Sequence, residues 1–236
     1  MAQYDFLAKF YDDVIGRNGM PDRRIVSLTR KYAKNAENVL ELGCGTASNL
    51  LALSKYYGVS GIDRSPEMLK IAKAKLPGAS FVQGDITGFS SEEKFGCIIC
   101  MYDTVNHLTE FAHWKQLFKN VSIHLTDDGI FIFDINTLDK LDYMAENDLF
   151  AHQFGDNYLL MDVTKVSSHL YSWDAKIFEK LGDKYVMHNE VFLEAGFKQE
   201  KILKELEKNF ELLEIIEEFE GNDVPFRTYF ICKKLN

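Results

Sequence analysis

The chain is short of positive charge. Of its 236 residues, 27 are Lys or Arg against 36 Asp or Glu, a formal net charge of −9. That deficit argues against a protein that tracks nucleic-acid phosphates, which normally carries a basic stripe. It also argues against docking on an anionic membrane surface. No apolar run approaches the roughly 20 residues of a membrane span. The opening segment MAQYDFLAKFYDD has neither a basic nor an apolar targeting region, so no secretory leader is expected there. Cysteine is scarce, with four residues. Cys97 and Cys100 have CxxC spacing but fall in an apolar run that reads as a strand. Residues three apart on a strand point to opposite faces, so no metal site or disulfide is expected from them. Buried, inert thiols and a cytoplasmic location fit.

What is present is the composition of a globular protein, with 46% apolar residues and a length that favours one domain with an insertion. Residues 4–16 and 21–36 read as helices, the second opened by Pro21-Asp22. Val39, Leu40 and Leu42 form a short buried strand that breaks at Gly43-Cys-Gly45, after which Ser48 is expected to cap a helix running through Tyr56-Tyr57. Strands follow at 59–63, 79–85, 95–102 and 129–136. Between them lie a helix opened by Ser65-Pro66 and another over 109–125, with Phe111, Trp114, Leu117, Phe118 and Val121 on one stripe. A charged helix at 198–210 and strands at 212–219 and 226–233, joined by Gly221-Asn-Asp-Val-Pro225, complete the pattern.

This alternation predicts an α/β fold, a doubly wound, seven-stranded, mostly parallel sheet. Tyr171, Trp173, Ala175 and Ile177 alternate with polar residues, and Leu181-Gly-Asp-Lys184 reads as a hairpin turn. Residues 138–195 are therefore expected to form an inserted antiparallel β-subdomain, within a main domain of 1–137 and 196–236.

Ligands of open α/β sheets bind outside the carboxyl ends of the strands, and a glycine turn there lets the backbone approach them closely. Three acids fall in that region: Glu41 two positions before the first glycine, Asp63 ending the second strand and Asp85 ending the third. Alone, each would serve a turn or cap; in register, they converge on one crevice. Glu41-Leu-Gly-Cys-Gly-Thr46, Ile62-Asp-Arg-Ser-Pro-Glu-Met-Leu69 and Gln83-Gly-Asp-Ile86 resemble, in order and spacing, the signature segments of class I S-adenosylmethionine-dependent methyltransferases. Phe10-Tyr-Asp12 and the inserted subdomain are similar to small-molecule enzymes of the glycine/sarcosine and aminosugar N-methyltransferase type.

The resemblance implies S-adenosyl-L-methionine as cofactor. It puts Gly43, Cys44 and Gly45 beneath the methionyl portion, with Glu41 in the same site, and Asp63 on the ribose. Arg64 and Met68 would flank the adenine, Asp85 would reach its exocyclic amine and Ile86 would pack on the ring. The Met101 carbonyl would receive the methionyl ammonium, and Tyr11 and Arg24 would approach the carboxylate. Ala47 replaces the usual third glycine, which is tolerable if its φ is negative.

The rival dinucleotide reading leaves Glu41 and Asp85 without a role and meets Ser48 where glycine or alanine is wanted. Methyl transfer needs alignment and water exclusion, and a base only when the nucleophile arrives protonated. Candidates for that work are His107, Asp103 and Tyr11. Asn106, Asp134, Asn136, Tyr4 and the hairpin residues Tyr171, Trp173, Tyr185 and His188 are further candidates for the acceptor side. The expected partner is a small-molecule methyl acceptor, neutral or cationic, with no nucleic acid, no membrane and no metal, the chain acting as monomer or homodimer. A cofactor-binding protein without catalysis, and an RNA or protein methyltransferase with a basic patch at the crevice mouth, are the alternatives.

Overall fold

The computed structural model describes residues 4, 6–14, 23–147, 149–219 and 225–235. Its main sheet contains β1 (Asn38–Leu42), β2 (Gly58–Asp63), β3 (Ser80–Gln83), β4 (Phe95–Cys100), β5 (Leu125–Asn136), β10 (Phe210–Phe219) and β11 (Pro225–Lys234). Their order is β10-β11-β5-β4-β1-β2-β3. β1 pairs in parallel with both β2 and β4, β2 with β3 and β4 with β5, while β11 runs antiparallel between β5 and β10. The order reverses between β1 and β4, so the carboxyl ends of these neighbours open the switch-point crevice.

Helices cover both faces: α2 (Arg23–Tyr32), α3 (Ser48–Leu53), α4 (Pro66–Lys75), α5 (Phe111–His124) and α7 (Gln199–Leu206). The expected stripe of α5 is buried at Trp114, Leu117, Phe118 and Val121, and Phe111 packs at its edge. Cys97 and Cys100 are buried in separate clusters on opposite faces of β4, as strand alternation requires. Among the described residues no helix is long and apolar enough to cross a membrane.

The second sheet, β6 (Phe150–Phe154), β7 (Asn157–Lys165), β8 (Leu170–Leu181) and β9 (Lys184–Ala195), is antiparallel throughout. Tyr171, Trp173, Ala175 and Ile177 turn inward from β8 to a core that includes Leu7, Phe10 and Leu141. Asn106 ties this sheet to the main one. Its amide nitrogen donates to the Asn136 and Ala195 carbonyls, each at 3.0 Å, and its oxygen accepts the Asn136 N–H at 3.0 Å.

Several local expectations change. The N-terminal helix is two short turns, a 3-10 turn at Leu7–Lys9 and α1 (Tyr11–Val14). The segment is held by tertiary contacts instead: Phe6 stacks on His188 and the Leu7 N–H donates to Glu190. Ser48 begins α3 but does not cap it; Ala47 is the cap residue, with φ +63° in the left-handed region and no side-chain hydrogen bond. The negative φ under which alanine would be tolerable at position 47 is not met, because the turn leaves β1 by a left-handed step that glycine would make freely. Ser65 caps α4 as expected, accepting from the Met68 N–H at 3.2 Å. α3 stops before Tyr56, and β3 stops before Asp85. Helix α6 (Leu138–Glu146), capped by Thr137, opens the segment expected to be all strand. Pro21-Asp22 and the 221–224 linker lie outside the described residues.

Candidate active site

The turn after β1 is stitched to the end of β2. The Ile62 carbonyl accepts the Gly43 and Cys44 N–H groups at 2.8 and 3.0 Å. Asp63 accepts the Gly45 N–H at 2.8 Å on one oxygen and the Ser65 N–H at 2.9 Å on the other. A Cβ on Gly43 would lie 2.4 Å from the Thr104 methyl, so the close approach itself demands glycine. Because the N–H groups of residues 43–45 already have protein acceptors, the turn offers little to a pyrophosphate, which a dinucleotide loop would cradle.

Beyond the turn lies a cavity of about 430 Å³, within the range of small-molecule sites. Tyr11, Gly43, Gly45, Asp63, Arg64, Met68, Ile86 and His107 line it, and so do Tyr4, Tyr102, Thr104 and Leu193. Nine of the residues predicted from sequence, Tyr4 included, therefore meet in one space. Arg64 is the single Lys or Arg among the described lining residues.

The other predicted residues stand behind this wall. Glu41 is buried; its Oε1 accepts from Asn49 Nδ2 at 2.8 Å, and its Oε2 has no partner. Burial pushes its carboxyl up to about 8, against the partial relief of the Asn49 hydrogen bond. Asn49 in turn accepts from the Tyr102 hydroxyl at 3.1 Å. Asp63 is also raised by burial, with the Ser65 and Gly45 N–H groups holding it back. Cys44 is buried under α3 and α4, its thiol pushed up by burial and then by Asp63 and Glu41. Asp85 pairs with Arg64 and accepts from Thr87; these contacts outweigh its partial burial and lower its carboxyl. The Met101 carbonyl accepts the Thr104 hydroxyl at 2.8 Å. Arg24 does not join the site: its guanidinium pairs with Glu218 at 2.7 Å and lies over the Tyr229 ring.

Tyr102 and Asp103 both have left-handed backbones, φ +58° and +53°. Such non-glycine residues cost of order 1–3 kcal/mol each and persist where their surroundings hold them. Asp103 is held by Arg227 at 2.8 Å, and the same guanidinium also grips Asp134. Burial alone would raise Asp103, but Arg227, Lys140 and His107 more than offset it.

His107 faces Tyr4, whose hydroxyl lies 3.0 Å from Nε2, while Nδ1 lies 3.3 Å from the Leu193 carbonyl. A carbonyl only accepts, so Nδ1 carries the proton and Nε2 accepts from Tyr4. Burial lowers the His107 pKa, partly countered by Asp103 and the Leu193 carbonyl. Of the hairpin residues, Tyr171 and Trp173 are core, His188 stacks on Phe6, and Tyr185 is exposed; Leu193 of β9 reaches the cavity instead.

Sequence reasoning named Asp12 in the Phe10-Tyr-Asp12 segment but gave it no role. Its Oδ1 accepts the Thr46 hydroxyl at 2.6 Å, and its Oδ2 pairs with Lys75 at 2.5 Å. This anchor sets the neighbouring Tyr11 ring 3.8 Å from where a Gly45 Cβ would lie.

Residues 39–129 match the family profile described as a methyltransferase domain. A crystal structure of an S-adenosylmethionine-dependent methyltransferase from Clostridium acetobutylicum ATCC 824 superposes with a TM-score of 0.84 at 25% identity, over 99% of both chains. Domain and fold together support an S-adenosylmethionine-dependent methyltransferase of the class I type. A protein of Geobacillus sp. (strain WCH70) with a provisional methyltransferase name is 26% identical over 98% of this chain and 99% of its own length. The dTDP-3-amino-3,6-dideoxy-alpha-D-glucopyranose N,N-dimethyltransferase of Streptomyces fradiae is 29% identical, but the match spans about half of each protein, 54% of this chain and 52% of the relative.

The site of this methyltransferase suits its cofactor on three counts. The buried Glu41 Oε2 has no hydrogen-bond partner among the described residues and can receive a cation. Asp63 keeps lone pairs for hydroxyl donors. Met68 and Ile86 give the cavity apolar walls for a ring.

Proposed function

We propose that this enzyme methylates a nitrogen of a small-molecule amine. When bound, S-adenosylmethionine supplies a sulfonium methyl that is already electrophilic. The protein's part is therefore alignment and exclusion of water.

Residues on one side of the cavity hold the cofactor. Asp63 accepts hydroxyl hydrogen bonds, and Met68, Ile86 and Arg64, with Asp85 behind it, take the base. Gly43, Cys44 and Gly45 provide the close backbone surface, while Glu41 and the Met101 carbonyl receive positive charge. Tyr11, carried by the Asp12 anchor, closes over the turn. On the other side, Tyr4, His107 and Leu193 shape the acceptor space, with Asp103 behind. Neutral His107, its tautomer fixed by Leu193, is the group through which a proton leaves.

The inserted sheet acts as the acceptor lid, with residues 138–195 as a unit added to a main domain of 1–137 and 196–236. A cytoplasmic enzyme, monomeric or dimeric and acting without nucleic acid, fits the buried free thiols and the acidic balance.

The observation that carries this reading is one cavity with Asp63 at one side and the Tyr4–His107 pair at the other. The N-methylating aminosugar relative supports nitrogen over oxygen. Turnover of labelled methyl onto matched amines and alcohols tests it: amines should be labelled, and labelling of alcohols alone would refute the nitrogen assignment.

A further inference from the structure

Glu194 is the penultimate residue of β9, next to the cavity-lining Leu193, and only 1% exposed. Its side chain crosses from the inserted sheet to the strand ends of the main sheet, where Asn136 Nδ2 donates to Oε2 at 2.9 Å. Oε1 has no hydrogen-bond partner among the described residues. One ligand-capable atom each from Asp103, His107 and Glu194 lies within 4.8 Å of the others, and His107 lines the cavity.

The charges around this group do not balance. Three buried or half-buried carboxylates, Asp103, Asp134 and Glu194, stand against Arg227 and Lys140. Arg227 is committed to Asp103 and Asp134, and the Lys140 ammonium donates to Asn136 Oδ1 at 2.7 Å. Burial, and then the Asp103 carboxylate, push the Glu194 carboxyl well above the ordinary range. A buried carboxylate without a charge partner is costly, and a cation placed against it removes that cost. A metal ion suits the cluster less well. Both His107 nitrogens are engaged by Tyr4 and Leu193, and one of the two remaining carboxylates is already neutralised by Arg227.

Resting on the reading of the cavity as a methyl-acceptor site, we propose that Glu194 binds the protonated amine of the acceptor and takes its proton. In that step one N–H bond breaks and its electron pair stays on nitrogen, giving the neutral nucleophile. An O–H bond forms on Glu194 Oε1, and the carboxylate becomes a carboxylic acid. The substrate class this implies is a primary or secondary amine that arrives as an ammonium ion, in preference to an alcohol or a phosphate ester.

Calorimetric titration of benzylammonium chloride and benzyl alcohol into the full chain tests this, with the protein alone and with S-adenosylhomocysteine at saturation. The unsubstituted protein should prefer the ammonium by about tenfold or more, the scale of one hydrogen bond to a charged group. Glu194→Gln should erase that preference and leave the alcohol unchanged. Equal binding of the two probes by the unsubstituted protein, which needs no variant to fold, overturns the proposal. So does a Glu194→Gln protein that keeps the preference, or zinc or magnesium displacing the amine from the native site. Failure of S-adenosylhomocysteine to bind would count against the cofactor reading alone, and the titrations without it would still decide the role of Glu194.

Discussion

Thr46 donates its hydroxyl to Asp12 across 34 positions of sequence, at 2.6 Å. This bond fastens the N-terminal segment to the turn after β1, and Lys75 holds the same carboxylate from α4. Tyr4 and Tyr11 depend on that anchor for their places in the cavity wall. Asp12→Ala should weaken S-adenosylhomocysteine binding by about tenfold while costing only about 1 kcal/mol of stability, since the lost contacts are partly exposed. Calorimetry together with thermal melts separates the two effects; unchanged affinity would show that the segment does not close over the cofactor.

Ala47 sits at φ +63° and is fully buried. An alanine in that conformation gives up about 1 kcal/mol relative to glycine, less the freedom glycine regains in the unfolded chain. Ala47→Gly should therefore be neutral or slightly stabilising in denaturant unfolding. Ala47→Val, β-branched and without room, should cost roughly 3 kcal/mol or more. The reverse order would mean that packing, and not the backbone, selects the residue.

Glu41 predicts a pH dependence with a definite sign. Its carboxyl rises from 4.5 to about 8 on folding, so the folded state holds a proton that the unfolded state has lost. Across this window stability falls as pH rises, by several kcal/mol at most. Melting temperatures of the ligand-free protein should drop between pH 5 and about 8, and Glu41→Gln should flatten that slope. A slope unchanged in the variant would assign the effect to another group.

His107 is held neutral by burial and donates through Nδ1 to Leu193. Its substitution by Asn should lower kcat by about 100-fold, the lower range for a proton-transfer group. Tyr4→Phe should cost less, because the histidine keeps its tautomer. Since the pKa is lowered from 6.5, the acid limb that His107 sets on kcat/KM should lie below that pH. An alkaline pKa governing the same limb would exclude His107 as the relay.

The main sheet was legible because its cues are local. The Ser65-Pro66 cap, the α5 stripe and the apolar run of β4 each declare an element within a few residues. The glycine turn and Asp63 were legible for the same reason. What escaped was set by distant partners. Asp103 meets Arg227 across 124 positions and Tyr102 meets Asn49 across 53, so neither Arg227 nor Asn49 stood out. Glu194 looked like one more polar residue on a strand, and only the approach of Asn136 and His107 makes it distinctive. The N-terminal helix failed for a related reason. Leu7 and Phe10 pack into the core of the inserted sheet, and the segment forms two short turns. The helix α6 was hidden because its cap, Thr137, directly follows the last residue of β5.

The central claim is that Asp63 and the turn it fastens hold S-adenosylmethionine. Calorimetric titration of S-adenosylmethionine into the native chain and into Asp63→Ala tests it most directly. Binding should fall in the micromolar range and weaken about 30-fold or more in the variant, as loss of hydrogen bonds to a charged group requires. Binding no tighter than about millimolar by the native chain, or equal affinity in the variant, would contradict it.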